Sequence, residues 1–302
     1  IKNMTQTAVT DFSAGATTNT TITNTAGGEI ILTPAFNDDF TGSALSPAWN
    51  VTAWTSGSGT SKVTFASGVV SIGRNQAKTA QTFTNTGLEG SISFASAQGQ
   101  QFGLATDLQA TAGNFAAVFT TRTSNTTLFA RVNNNGTLTD VNLGAIPSGF
   151  HLYAIKPVST GYAFFIDGAL KTTIAKTLPT NQAMSVVLAS QTGGKPIQAD
   201  YVRVPSYAST GTFVSSVLDA GQTANWGALS YNSTVPTGAG ILVEVSTGNT
   251  ATPDGTWSAW SSVASGSNIS APAARYIRYR VTFTTSDATV TPTFSDITIS
   301  YT

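Results

Sequence analysis

Short β-branched or aromatic runs, each cut off by Gly, Asn, Pro or Ser, follow one another along the whole chain: GGEIILTPAF, SKVTFASGVVSIG, GNFAAVFTTRTSNTTLFARVNNNGTL, FHLYAIKPV and GYAFFIDGALKTTI. A helix needs apolar residues every three or four positions, and no stretch sustains that period. The runs have the turn spacing of antiparallel sandwiches, so the expected fold class is all-β: two antiparallel β-sandwich (jelly-roll) domains with an extended N-terminal arm. DLQATAGN and NQAMSVVLAS come nearest to a helical turn, and both read as strand or loop. Two domains are expected because 302 residues, 40% of them hydrophobic, exceed what one sandwich core needs. Thr supplies about one residue in six, and as a β-branched residue it suits a pleated surface.

The strand period assigns faces. In YAFFIDG, Tyr162, Phe164 and Ile166 share one face, and Ala163, Phe165 and Asp167 the other. Asp167-Gly168 then supplies the two positive-φ positions of a type I′ hairpin, with ALKTTI returning as its partner, so Asp167 reads as a turn residue. RVNNNGTL is a second hairpin of that kind. In RYIRYRVTF, Ile277, Tyr279, Val281 and Phe283 read as core, opposite Tyr276, Arg278, Arg280 and Thr282.

Charge narrows the partners. Only 9% of residues are charged, against about 25% in average proteins, and 14 basic side chains balance 14 acidic ones. No field exists to draw in a polyanion, so nucleic acid is not an expected partner. No apolar run approaches the roughly 20 residues of a membrane helix, and no membrane span is expected. The absence of cysteine excludes disulfides and thiolate metal sites. A start at Ile1 and the uncharged Thr/Asn-rich composition read as a mature exported chain, extracellular or at the cell surface.

FNDDFTGSALSPAWNV, VTFASGVVSIG, FHLYAIKPVSTGYAFFIDGAL and IQADYVRVPSY resemble, in that order, the landmarks of a concanavalin A-like, laminin-G-type jelly roll from secreted bacterial proteins. The resemblance spans roughly residues 30 to 207 and implies two antiparallel sheets packed face to face. STGTFVSSVLDAGQTANWGALSY, PDGTWSAWSSVASG, RYIRYRVTFTTSD and VTPTFSDITISY are similar to an accessory β-sandwich module that follows such jelly rolls in surface proteins. The expected domains are therefore a polar N-terminal arm (1–28), a jelly roll (29–207) and a C-terminal accessory sandwich (208–302), the last two meeting at PSYASTG. A polar arm is ordered when it pairs with a strand edge, in its own chain or in a neighbour.

Chemistry is sparse. The glycosidases that share this fold need two close carboxylates, in an E-x-D-x-x-E pattern on one strand. Glu29, Glu89 and Glu244 are the only glutamates, and none has an acidic neighbour at i+2 or i+4. His151, the sole histidine, reads as a hydrogen-bonded sheet residue, and no G-x-S-x-G elbow supports a serine triad. No catalytic residue is assigned. The resemblance implies one cofactor at most, a structural calcium ion between the entry and closing strands, which points to Asp39 and Asp200; solvated carboxylates are the plainer reading. For sugar stacking the candidates are Trp54, Trp257 and Trp260, against core packing as the ordinary role of tryptophan. WSAW has the W-x-x-W form of thrombospondin repeats without their cysteines.

Three functions are compatible with these residues. The expected one is a non-catalytic extracellular structural or adhesive protein, not an enzyme, whose arm pairs onto further copies of itself to build a filament, sheath or surface layer. The alternative is a carbohydrate-binding pair from a larger secreted enzyme or adhesin, with polysaccharide as partner. A hydrolase with an atypical site is the third.

Overall fold

The computed structural model describes every residue except Thr111, and it divides the chain into two compact units. One comprises residues 36–205; the other joins residues 1–35 to 206–302.

Residues 36–205 form a seven-stranded and an eight-stranded sheet, both antiparallel, that share one core. Gln100–Ala105 lies in the seven-stranded sheet between Phe115–Thr120 and Ser185–Ser190. Leu88–Ser93 lies in the other, between His151–Val158 and Ile197–Val204. Alternation sends Phe102, Leu104, Phe119 and Leu188 inward from the first sheet, to meet Ile92, Tyr153, Ile155 and Phe164 from the second. Phe119 is the hinge of that contact, edge-on to Tyr153 at 4.9 Å and to Phe164 at 5.2 Å. This is a concanavalin-like β-sandwich jelly roll, all-β throughout.

The turns form where the dipeptides demand them. Asp167 and Gly168 have φ of +52° and +77°, and Asn135 and Gly136 +50° and +90°, so both hairpins have the left-handed pair of a type I′ turn. Asp167 also ties its hairpin to the start of the strand His151–Val158: its carboxylate accepts the Leu152 amide at 3.0 Å and faces His151 Nδ1 at 2.7 Å. The DDF entry is structural as well, because Asp38 accepts from the Phe40 amide and from Trp49 Nε1. NQAMSVVLAS contains the strand Ser185–Ser190, whereas DLQATAGN is a loop, with its Thr111 outside the described residues.

The second unit is two six-stranded sheets over one core, and residues 1–35 supply strands to both. Lys2–Gln6 pairs antiparallel with Thr293–Tyr301, in the register Lys2 to Tyr301 and Gln6 to Ile297. Glu29–Leu32 pairs with the same strand at Thr293 and Phe294. Ala16–Thr18 pairs with Thr210–Val214 in the opposite sheet. Between them a single helical turn, Val9–Phe12, is held by Asp11, whose carboxylate accepts the amides of Thr7 and Ala8. That turn drives Phe12 into the core, edge-on to Phe213 at 6.0 Å and to Phe294 at 6.4 Å.

The expectation that residues 1–28 pair onto a neighbouring subunit is corrected here. The three strands of this segment, Lys2–Gln6, Ala16–Thr18 and Thr20–Thr23, pair within the same chain, and the segment carries a core anchor in Phe12, so it is built into its own sandwich. No helix among the described residues is long and apolar enough to cross a membrane.

The C-terminal sandwich therefore depends on the N-terminal segment. Phe12→Ala should destabilise that unit by about 3–5 kcal/mol, the usual cost of emptying a fully buried phenylalanine site. Urea titration followed by tryptophan fluorescence checks this; a loss below about 1 kcal/mol would mean that the segment is only laid on the surface.

Candidate functional site

The three glutamates lie on separate strands. Glu244 holds Arg280 at 2.6 Å, and Glu29 accepts from Thr23. Glu89 lies beside Arg203, at 3.5 Å from its Nη1. Burial pushes the Glu89 carboxyl up, against the pull of Arg203 and Lys156.

The outer face of the seven-stranded sheet is closed at its centre. Ala105, Ala116, Val118 and Val187 form a small apolar patch there, and Leu108 packs over it. The loop carrying Leu108 is tied down by Gln76, whose amide donates to Asp107 Oδ1 at 3.0 Å and accepts from the Leu108 amide at 2.7 Å. Burial opposes ionisation of Asp107, but hydrogen bonds from Gln76 and Gln109 together with the Lys78 charge hold its carboxyl below the ordinary range. The buried Gln76 side chain under this loop is thereby spent on the protein itself.

An open recess lies elsewhere in the same unit. A cavity of about 300 Å³ is bounded by the turn after His151–Val158, by the segment 177–182 and by Asn85. Gly161, at φ +156°, lets the strand leave that turn directly beneath residues 174–176; a Cβ there would meet the Ile174 carbonyl oxygen. Segment 177–182 is fixed by the Asn134 amide, which donates to the Thr177 carbonyl at 3.1 Å. A turn closed by the Gln182 amide on the Pro179 carbonyl puts Asn181 at φ +60°, a conformation asparagine tolerates well. Not one lining residue carries a charge. Asn85, Asn181 and Gln182 offer amides, Ser159 and Thr180 hydroxyls, and Tyr162 its phenol beside an apolar wall of Pro157 and Leu178. Burial pushes the Tyr162 phenol up, so it stays protonated and able to donate.

The residues expected from sequence are placed as follows. Trp54 is buried with its Nε1 on Ser56, and Trp257 is buried with its Nε1 on Thr250, so neither offers an open ring face to a sugar. Trp260 is partly exposed, but two guanidinium groups lie over its ring, Arg280 at 4.6 Å and Arg278 at 4.8 Å. Asp39 and Asp200 do come together electrostatically: burial first, and then the Asp39 charge, push the Asp200 carboxyl above its ordinary range. No group of three or more His, Cys, Asp or Glu side chains able to hold a metal ion is found among the described residues. The amides of the cavity were missed, because the turns that bring residues 85, 157–162 and 177–182 together leave no spacing signal.

Two facing antiparallel sheets over one core define the class, a concanavalin-like jelly roll, and the solved structures similar to the chain belong to it. They include a β-glucanase of Bacillus licheniformis, 17% identical over 56% of this chain and 96% of that one, with a TM-score of 0.42. An endo-β-1,3-glucanase of Pyrococcus furiosus is 13% identical over 63% of this chain and 98% of its own, at a TM-score of 0.47. A pseudo β-1,3-glucanase of Mycobacterium tuberculosis is 15% identical over 57% and 98%, at 0.41. No protein-family model matches the chain, and no curated protein matches it. At these identities the likeness is one of fold. The expectation of a filament subunit is corrected, because residues 1–35 are part of the chain's own second unit, and that of a non-catalytic protein is withdrawn beside similar structures named as glucanases, one of them a pseudo-glucanase.

The Asp39–Asp200 repulsion gives a signed prediction. A carboxyl whose pKa is raised on folding penalises the fold above the ordinary aspartate pKa of about 3.9. Asp200→Asn should therefore raise the Tm at pH 7, and the gain should shrink as the pH falls through the carboxylate range. Thermal melts across pH 3 to 7 check it; a gain that grows toward low pH would reverse the sign.

Proposed function

We propose that the chain is a carbohydrate-directed protein whose jelly-roll unit takes an uncharged polysaccharide in the cavity lined by Asn85, Tyr162, Asn181 and Gln182. The observation that carries this is the chemistry of the lining: amides, hydroxyls and one protonated phenol beside proline and leucine, with no charge. A neutral sugar ring needs both halves of that set. Its hydroxyls exchange hydrogen bonds with amide groups, its C–H face lies on apolar surface, and a fixed charge would have to be desolvated for nothing. The volume, about 300 Å³, suits one or two sugar units of a chain that continues into solvent. Such a protein works outside the cell, and the nearly charge-free, cysteine-free composition agrees with that setting. Residues 1–35 and 206–302 take the part of an accessory sandwich.

Asp39 and Asp200 belong to this reading as holders of a structural calcium ion. Burial first and the Asp39 charge second disfavour an ionised Asp200, a divalent cation would offset both, and main-chain or water oxygens would complete its shell. Calcium should raise the Tm of the wild-type protein and leave Asp200→Asn unmoved; an equal response of both, read by calorimetry with and without chelator, places any ion elsewhere.

Affinity electrophoresis in gels containing soluble β-glucan or xylan tests the cavity. Asn181→Gly keeps the left-handed turn while removing the amide, and Gln182→Ala removes a second one. Each should weaken retention about threefold to tenfold, the worth of one hydrogen bond, with the melting temperature unchanged. Reducing ends released from the same glucan report cleavage. Retention untouched by both variants would remove the cavity from the function.

A further inference from the structure

The guanidinium groups of this chain are generally matched to carboxylates: Arg131 to Asp140, Arg275 to Asp219, Arg280 to Glu244. Arg278 is not. Among the described residues it makes neither an ion pair nor a hydrogen bond, and its Nε is fully covered with no acceptor. Instead it is held by rings. Its guanidinium carbon lies 5.3 Å from the centre of the Trp257 ring and 4.8 Å from that of Trp260. Arg280 follows, 4.6 Å over Trp260, and both its Nε and Nη2 donate to Glu244 Oε2.

This stack follows from the sequence. Arg278 and Arg280 are two apart on the strand Ala274–Thr285, so both leave the same outer face, while Ile277, Tyr279 and Val281 enter the core. WSAW is then laid along that face by the Ser258 amide on the Thr247 carbonyl and by Trp257 Nε1 on Thr250 Oγ1. A guanidinium stacked on indoles spends its flat faces, and with the Nε of Arg278 covered, the N–H groups of its two terminal nitrogens are the ones left for donation. Because Glu244 serves Arg280, the pair of arginines keeps one positive charge in excess. Around it the sheet presents hydroxyl-bearing side chains, Tyr276, Thr282 and Ser262; the carboxylate of Asp219 is held by Arg275, and that of Asp254, in the turn before WSAW, accepts from Thr256.

We infer that the Trp257–Arg278–Trp260 stack is an oxyanion-binding site, at which Arg278 takes the carboxylate or sulfate group of an acidic polysaccharide. A rigid planar fork fits such a group through two parallel hydrogen bonds, and the surrounding hydroxyls fit the sugar that bears it. The site is independent of the uncharged cavity, and neither needs the other.

The test is affinity electrophoresis of the full chain at about pH 9, above the point of zero net charge, so that it migrates as an anion while Arg278 stays protonated, in gels holding polygalacturonate, dextran sulfate or neutral dextran. The wild-type protein should be retarded by an acidic polymer and not by dextran, and Arg278→Gln should bind that polymer about tenfold more weakly, the loss expected for a charge-assisted hydrogen bond. Retardation by polygalacturonate alone assigns a carboxylate, and by dextran sulfate alone a sulfate. If circular dichroism shows Arg278→Gln unfolded, Arg278→Lys carries the test: it keeps the charge and loses the fork, and should be retarded measurably less than wild type. Equal migration of the wild type in all three gels, or full retardation of the folded variants, overturns the proposal.

Discussion

The antiparallel pairing of the first strand with the last is the contact on which the C-terminal sandwich rests. It brings Gln6 under Tyr279, whose hydroxyl donates to the Gln6 side chain at 2.5 Å inside the core. Burial, reinforced by Asp11, pushes the Tyr279 phenol far up, so that donor is permanent. The same crossing places Phe12 against Phe213 and Phe294. A residue from the start of the chain thereby joins Ile30, Ile31 and Leu32 in a core whose other buried residues come after residue 206. The jelly roll is consequently an insertion into a sandwich, not the first of two beads on a string.

Low charge shapes what each unit can recognise. With so few ionic groups, nearly every arginine has a defined partner, and the two surfaces that depart from this are the ones with binding chemistry. The cavity of the jelly roll has no charge at all, and Arg278 has a charge with no counter-charge. One surface suits hydroxyls and C–H faces, the other a planar anion.

Much of the architecture could be read from period and punctuation. Asp167-Gly168 and Asn135-Gly136 form the turns their dipeptides specify, and the alternation in RYIRYRVTF sorts core from surface as the strand period requires. What escaped was governed by partners distant in sequence. Residues 1–28 look like an arm because Thr and Asn dominate them, yet one phenylalanine and three short pairings commit them to the fold. Trp54 and Trp257 look like sugar platforms in isolation, but burial is decided by loops that no local pattern describes. The cavity amides lie on three separated turns, and Arg278 looks like one of two solvated cations until WSAW is laid across it.

The interleaved order of the two units sets a timetable for synthesis. Residues 36–205 hold all the strands of the jelly roll and can close as soon as they emerge. The strand Lys2–Gln6 has to wait for Thr293–Tyr301, a delay of roughly 15 to 60 s at ordinary translation rates of roughly 5–20 residues per second. During that interval its neighbours are exposed edges, the kind of segment that aggregates when apolar. A run as polar as ATTNTTITNTAGG is one that can stay extended in water while the rest of its sandwich is still being made. The composition that gives this segment the look of a loose arm is, on that view, what lets a nascent chain hold its first strand in reserve for its last.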